Sequence, residues 1–198
     1  MPNHITNIIE INNASWQRLD EILEAIKVDE IGLGSIDFNK IIPMPDNIYY
    51  GNLGSEKLKK YGENNWYDWS IKNWGSKWNS YGYDCFPEYE AGNNTIQFNT
   101  AWSCVNKILE ELSKMYPDVE FKYKWADEDF GYNVGYSSWK NGEYLELVYL
   151  DDGSKEAYEF AAEVMDIDLA DLGYELSENG TTYIYVNDTA IGTQSMSE

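Results

Sequence analysis

NNTIQFNTAWSCVNKILEELSKMYPDVEFKYKWADE, residues 93–128, contains the clearest periodic patterns in the chain. Residues 103–117 repeat apolar side chains at helical spacing and stop at a proline, which is typical of an amphipathic helix. Residues 119–128 then alternate strictly between apolar and polar side chains, and residues 93–103 also carry a strand pattern. The stretch therefore predicts a strand, a helix and a second strand in succession.

The N-terminal segment predicts a similar order of elements. Residues 3–11 alternate isoleucines with polar residues in an imperfect, strand-like way. Ser15 is placed to cap a helix over residues 16–26, where apolar side chains recur at helical spacing. Residues 35–45 are expected to form a short strand that ends at two prolines.

The C-terminal part predicts a hairpin and further elements. Residues 132–150 carry two strand patterns joined at Asn141 and Gly142, a pair that favours a two-residue hairpin turn. An acidic helix is expected near residues 153–165, and a last strand near residues 181–187. The remaining tail, TAIGTQSMSE, is expected to be frayed.

These elements predict an α+β fold with a ferredoxin-like antiparallel sheet and two helices on one face. Residues 1–150 form the expected ferredoxin-like domain, interrupted between its halves by an aromatic insertion at about residues 46–82. Residues 151–198 form an acidic α/β extension, which we expect to pack on the same domain. Within the insertion, we expect short helical turns at residues 54–61 and 64–72.

The aromatic insertion contains half of the eight tryptophans. Two explanations remain open at this point: the rings pack on the sheet, or they form a recognition surface, because Trp and Tyr dominate binding hot spots. Packing is favoured for the first two of these tryptophans, whereas residues 73–79 fit either explanation. The four are Trp66, Trp69, Trp74 and Trp78.

Several stretches together resemble the YubB-type ferredoxin-like domain family, which is found on conjugative plasmids, prophages and phages. They are MPNHITN, FNKIIPMP, NWGSKWNSYG, FNTAWS and ADEDFGYNVGY, in this order, within roughly the first 150 residues. NWGSKWN, with TAWS downstream, is the most specific part. The resemblance implies a ferredoxin-like fold and a mobile-element setting, and it implies no reaction.

The charge of the chain is strongly negative and unevenly distributed. The chain carries 35 acidic and 14 basic residues, a net charge of −21. Residues 1–107 contribute −5 of this charge and residues 108–198 contribute −16. Because binding to a phosphate backbone relies on Lys and Arg, and Arg18 is the single arginine, direct nucleic-acid binding is not expected. An acidic surface suits a basic partner, or keeps the protein soluble.

Catalytic and metal-binding patterns are weak. Nucleophilic catalysis needs a histidine base, and His4, the single histidine, fits a surface or capping residue better. ADEDFG, residues 126–131, lacks the alternating ligand spacing of a calcium loop and reads as a solvated turn. GYNVGY, residues 131–136, has no P-loop lysine, so its glycines are expected to permit a bulge or a close backbone approach. We therefore expect no catalytic residues, no metal and no cofactor.

The sequence also predicts the cellular compartment of the protein. It has no apolar run of membrane-spanning length and no signal-peptide pattern at its start, and its two cysteines, Cys85 and Cys104, have no metal-like spacing. We expect a cytoplasmic protein with reduced thiols that does not contact a membrane. A homodimer is left open.

Two functional hypotheses follow. The first is a non-enzymatic binding protein that occludes a host defence or nucleic-acid-binding protein through an acidic, DNA-mimicking surface. The second is a small-molecule or nucleotide-binding domain, with or without hydrolytic activity, whose pocket lies at the NWGSKWN loop. A structural role in a virion or in plasmid maintenance is a third possibility. The candidate binding residues are Asn73, Trp74, Lys77, Trp78, Asn79, Trp102, Asp127 and Asn133.

Overall fold

The structure, a computed structural model, describes residues 2–186. The strands of its main sheet are β1 (His4–Asn12), β2 (Thr95–Ala101), β3 (Glu120–Asp127), β4 (Gly135–Lys140) and β5 (Glu143–Tyr149). Its helices are α1 (Trp16–Ile26), α2 (Phe38–Ile41), α3 (Ser55–Tyr61), α4 (Trp66–Trp74), α5 (Asn106–Met115) and α6 (Lys155–Met165). Two short strands, β6 (Tyr174–Leu176) and β7 (Tyr183–Tyr185), pair separately as a hairpin.

The main sheet has the strand order β2-β1-β3-β4-β5, and all neighbouring strands are antiparallel. Because β2 and β3 are both antiparallel to β1, they run in the same direction on either side of it. The helix α5 joins them, which gives the strand–helix–strand unit predicted from residues 93–128. The predicted α+β, ferredoxin-like architecture is confirmed.

One face of the sheet is covered by α1 and α5, as predicted. Along β1, every second side chain is buried, and Ile5, Ile9 and Ile11 are in the same core as the apolar stripes of both helices. Ser15 caps α1 by accepting a hydrogen bond from the backbone N–H of Arg18. The pairing register places the start of β1 beside the ends of β2 and β3, since His4 pairs with Ala101 and Ile5 pairs with Asp127.

The opposite face of the sheet carries α6. A second apolar cluster forms there, in which Ala126, Val134 and Ala157 are almost completely buried. Ser154 caps α6 by accepting a hydrogen bond from Ala157 N, and Lys124 on the sheet pairs with Glu163 at 2.8 Å. The described chain therefore has three layers, with the acidic helix on the side away from α1 and α5.

The prediction for residues 35–45 is wrong, because a short helix replaces the expected strand. Asp37 caps α2 by accepting a hydrogen bond from the N–H of Asn39. The amide oxygen of Asn79 accepts a hydrogen bond from the N–H of Phe38, and the Phe38 side chain is fully buried. No strand of the described region pairs with this segment. Besides the cap, its N–H groups bond within α2 and to groups of other segments, such as the carbonyl of Ile26 and the hydroxyl of Tyr83.

Other local predictions are confirmed. The expected helical turns of the insertion correspond to α3 and α4. Asn141 and Gly142 have φ angles of 51° and 79°, as a two-residue hairpin turn requires. The tail TAIGTQSMSE lies outside the described residues. Among residues 2–186, no helix combines the length and the apolar character that crossing a membrane requires.

Candidate functional site

The aromatic insertion is anchored to the outer edge of the sheet. Tyr81 and Asn99 exchange two backbone hydrogen bonds, of 3.1 Å and 2.7 Å, so Tyr81 extends the sheet beyond β2. Asn65 caps α4 by accepting hydrogen bonds from the N–H groups of Tyr67 and Asp68. The Tyr81–Asn99 pairing, together with a hydrogen bond from the N–H of Ala101 to the hydroxyl of Ser76, brings the NWGSKWN loop to the end of the sheet where β1 begins and where β2 and β3 end.

Trp74 belongs to the core. Its side chain is 4% exposed, and its indole N–H donates to the carbonyl of Ile42 at 2.9 Å. Its ring makes edge contacts with Phe38 and Trp69 at centroid distances of 5.9 Å and 5.3 Å. This candidate binding residue therefore packs the insertion against the sheet layer.

The two asparagines of the loop are engaged inside the protein. Asn79 accepts from the N–H groups of Phe38 and Ser80, and its amide N–H donates to Asp37 at 2.7 Å. Asn73 donates to the carbonyl of Trp69, one turn earlier in its own helix. Both amides stabilise backbone, as the sequence allows for asparagines in loops and helix ends.

A groove of about 600 Å³ opens beside the insertion. Trp66, Trp74, Trp78 and Tyr81 line it together with Tyr50, and Tyr50 is 79% exposed. Five polar residues also line it: Asn39, Asp46, Ser70, Lys77 and Asn79. Aromatic walls with polar groups among them are typical of sites for small ligands or peptide side chains. The groove lies at the NWGSKWN loop, where the second hypothesis places its pocket, and Trp74 and Trp78 are among the residues that border it.

Lys77 also lines the groove, and its ammonium group lies among three aromatic rings. Its Nζ atom is 4.6 Å from the ring centroid of Trp78, 4.9 Å from that of Trp102 and 5.9 Å from that of Tyr67. These distances are within the range of cation–π attraction. We call these three rings the aromatic cage. The indoles of Trp78 and Trp102 remain 38% and 41% exposed.

The backbone of Trp102 has a φ angle of 71°, a conformation that a bulky residue rarely adopts. Two hydrogen bonds hold it there: its N–H donates to the carbonyl of Asn3 at 3.0 Å, and its carbonyl accepts from Asn133 at 3.2 Å. Asn133 itself has a φ of 50°, a conformation that asparagine tolerates better than most residues. The structure thus brings Lys77, Trp78, Trp102 and Asn133 together.

Asp127 fixes the two asparagines, Asn3 and Asn133, that bond to the backbone of Trp102. The carboxylate is 6% exposed and accepts hydrogen bonds from Asn3, from Asn133 and from the N–H of Asp129 at 2.9–3.0 Å. Its oxygens are therefore used to join the strand ends. The carboxylate positions Asn133 rather than facing the groove.

His4 contacts Tyr81 instead of a nucleophile. Its Nδ1 atom lies 2.8 Å from the hydroxyl of Tyr81, which donates to the carbonyl of Thr100 at 3.1 Å. Burial, with a smaller contribution from the Glu128 carboxylate, raises the pKa of Tyr81 to about 12. The pair links β1 to the insertion.

The sequence did not indicate Tyr67 or Tyr81 as site residues, because their roles depend on contacts between distant segments.

A second concave region, of about 630 Å³, lies at the C-terminal end of α6. Four carboxylates surround it, and we call it the acidic depression: Glu159, Glu163, Asp166 and Asp168. Tyr174 and Tyr183 also line it. Desolvation, a hydrogen bond to Glu159 and the Glu159 and Asp168 charges raise the pKa of Tyr183, as expected in a negative potential.

These carboxylates do not form a metal centre. Among residues 2–186, no group of three or more His, Cys, Asp or Glu side chains is arranged to hold a metal ion. Cys85 and Cys104 are both free thiols, and burial raises the pKa of Cys104. The arrangement can attract cations and hydrogen-bond donors through charge.

Comparison with known proteins identifies the fold family of one segment. Residues 73–168 match a family model described as the ferredoxin-like domain in Api92-like protein. In the comparisons with curated proteins and with solved structures, nothing matches the chain. The matched segment runs from the end of α4 through β2, β3, β4 and β5 to the residues after α6, and β1 lies outside it. These residues are therefore similar to the ferredoxin-like domain of Api92-like proteins, in agreement with the fold that the sequence resemblance implied.

Proposed function

We propose that this is a non-enzymatic binding protein that covers the basic surface of a partner protein with its acidic α6 face. The observation that carries the proposal is the acidic depression, in which four carboxylates surround two tyrosines. A guanidinium or ammonium group of a partner would meet carboxylate acceptors at the rim and aromatic rings beside them.

The distribution of charge supports this choice of surface. Residues 151–186 contain ten acidic residues and one basic residue. Two of these ten, Glu159 and Glu163, form ion pairs with Lys155 and Lys124, and the other eight form none with the described residues. On α1 and α5, in contrast, four of the five acidic side chains form ion pairs with Arg18, Lys27 or Lys114. The negative potential is therefore expected to be strongest on the α6 side, which favours association with a positively charged patch.

The setting of the proposal comes from the resemblance to the YubB-type family. A protein carried by a plasmid or phage would act in the host cytoplasm, and a host defence or regulatory protein that binds nucleic acid would present the required basic surface. The acidic face would then replace the phosphate backbone in the manner of a DNA mimic. The chain's own low content of Lys and Arg agrees with binding a protein rather than nucleic acid.

Affinity capture from a host lysate at low and high salt tests this function. Contacts between exposed charges weaken as salt screens them, so the proposal expects capture at low salt and its loss at high salt. The captured protein should also lose its ability to retain duplex DNA when the acidic protein is added. Capture that does not respond to salt, or that leaves DNA binding intact, contradicts the mimicry.

A second candidate function rests on the aromatic groove. Its volume and its walls of Tyr50, Trp66 and Trp78 suit a small ligand with an apolar or planar part. Replacing Trp78 with alanine should abolish ligand-induced changes in tryptophan fluorescence, whereas neutralising carboxylates of α6 should leave them unchanged. Ligand responses that survive in the Trp78→Ala protein would remove the groove from consideration.

A further inference from the structure

We propose that the aromatic cage is a binding site for an organic cation of the methylated ammonium type, and that Lys77 occupies it as an intramolecular substitute. The cage is assembled from three separate segments: Tyr67 comes from α4, Trp78 from the NWGSKWN loop and Trp102 from the turn after β2. The three ring centroids lie 4.6–5.9 Å from one ammonium nitrogen, so the rings already surround a cation.

The chemistry of the walls favours a methylated cation. Among the described residues, Lys77 Nζ has no carboxylate within salt-bridge distance and donates no hydrogen bond to a protein group. An unmodified ammonium is strongly hydrated and needs such acceptors, whereas a methylated ammonium presents apolar C–H groups to the rings. Aromatic cages recognise quaternary ammonium ligands for this reason.

Lys77 differs from the other twelve lysines of the described region in the number of rings around its Nζ atom: three, against one each for Lys57, Lys60 and Lys124. Seven of these twelve lysines also have no carboxylate within 4.0 Å among the described residues. Five of the other lysines pair with a carboxylate within 4.0 Å: Lys27, Lys40, Lys114, Lys124 and Lys155. Lys77 is held by ring faces alone, so an incoming cation has no ion pair to break when it displaces this side chain. The overall charge of −21 also favours the entry of a cation.

The backbone around Trp102 keeps the cage in place. The positive φ of Trp102 is maintained by Asn3 and Asn133, and Asp127 holds both of these amides. Strained backbone conformations persist only where the surroundings enforce them, and they are frequent at ligand sites. The cage shares Trp78 and Lys77 with the groove. If a single ligand fills both the cage and the groove, the inference rests on the second candidate function. If a cation binds in the cage alone, the inference does not depend on that function.

Choline and its uncharged carbon analogue, 3,3-dimethylbutan-1-ol, are suitable probes. Binding is followed through the indole N–H signals in the NMR spectrum of the full chain, with the salt concentration held constant. Trp102 reports the cage alone, Trp66 reports the groove alone, and Trp78 belongs to both. The variant Lys77→Ala empties the cage, and the matched control Lys57→Ala removes a lysine that lies over a single ring, that of Tyr49.

We expect choline to shift the Trp78 and Trp102 signals of the Lys77→Ala protein with an affinity about ten-fold higher than for the wild type. Lys57→Ala should behave as the wild type, and 3,3-dimethylbutan-1-ol should bind about ten-fold more weakly than choline. Should Lys77→Ala disturb the amide spectrum, Lys77→Gln answers the same question, since it removes the charge and keeps a polar side chain that is one atom shorter.

Equal binding of choline and the alcohol would overturn the inference, because the site would then recognise shape without charge. Unchanged Trp78 and Trp102 signals in the Lys77 variants would also overturn it. A response confined to Trp66 would contradict the cage while supporting the groove, and so it separates the failure of this inference from a failure of the second candidate function.

Discussion

The hydroxyl of Tyr123 donates a 2.6 Å hydrogen bond to the side-chain oxygen of Asn7, inside a core where both side chains are completely buried. The same hydroxyl accepts a hydrogen bond from the N–H of Val105, the residue before α5. Asn7 also donates to Thr100 and to the carbonyl of Phe98. This network joins three strands to the start of α5, directly after the turn that carries Trp102.

Tyr123→Phe should lower the free energy of unfolding by about 1–3 kcal/mol, because it leaves a buried oxygen of Asn7 and the N–H of Val105 without partners. Chemical denaturation measures the change. Tyr136→Phe is the matched control, since the Tyr136 hydroxyl makes no hydrogen bond to the described residues. Equal effects of the two substitutions would mean that the network adds nothing to stability.

Two tryptophans of the same loop should respond differently to truncation. Trp74→Ala removes a side chain that is 4% exposed and should cost about 3–5 kcal/mol. Trp78→Ala removes a side chain that is 38% exposed and should cost about 1 kcal/mol. Thermal and urea unfolding of the two single variants measure this difference, and a reversed order would contradict the assignment of Trp74 to the core.

Tyr81 should make stability depend on pH in the alkaline range. Its pKa is raised from 10.0 to about 12 in the folded protein, chiefly by burial, so the folded state holds the phenolic proton more tightly than the unfolded state. This contribution is complete below a pH of about 10 and is lost as the pH rises through about 12. The Tyr81→Phe protein should therefore lose less stability over this interval, and parallel curves for the two proteins would refute the assignment.

Asn133 combines a left-handed backbone with two side-chain hydrogen bonds to Trp102 and Asp127. Asn133→Gly removes the hydrogen bonds and keeps the backbone relaxed, whereas Asn133→Ala adds strain at positive φ. The alanine variant should be less stable than the glycine variant by about 1 kcal/mol in urea denaturation. An alanine variant as stable as the glycine variant would show that the turn can change its conformation.

The layers of the fold are predictable from local patterns. The helical spacing of residues 103–117 and the alternation of residues 119–128 specify which face of α5 and β3 is apolar, and this also orients the sheet. The Asn141-Gly142 turn specifies the hairpin because both residues tolerate positive φ. These features depend on neighbours in sequence.

The local pattern of residues 35–45 does not determine whether they form a strand or a helix. Their apolar run suits a strand or a short buried helix equally well, and the choice depends on Asn79, which binds the N–H of Phe38 from 41 residues away. A long-range contact of this kind leaves no periodic pattern.

The candidate site also combines residues that the sequence indicates with residues that only long-range contacts reveal. The sequence places Lys77, Trp78 and Trp102 in one candidate set, and the structure brings their side chains together. The third ring of the cage, Tyr67, lies on a helix whose aromatic residues are explained equally well by packing. The structural use of Asn79 and Asp127 likewise follows from partners that are distant in sequence.

The most direct test of the central claim compares two variants of equal charge. One variant neutralises the acidic depression through Glu159→Gln, Glu163→Gln, Asp166→Asn and Asp168→Asn. The other neutralises four carboxylates of α1 and α5 through Asp20→Asn, Glu21→Gln, Glu110→Gln and Glu111→Gln. Each variant changes the net charge from −21 to −17, so they differ only in where the charge is removed.

The measurement is the affinity of each variant for the protein captured at low salt, as a function of salt concentration. The account expects the depression variant to lose at least about ten-fold in affinity and to show a shallower salt dependence, while the α1 and α5 variant stays close to the wild type. Equal losses in the two variants would show that net charge alone drives association, and would contradict a binding surface on the α6 face.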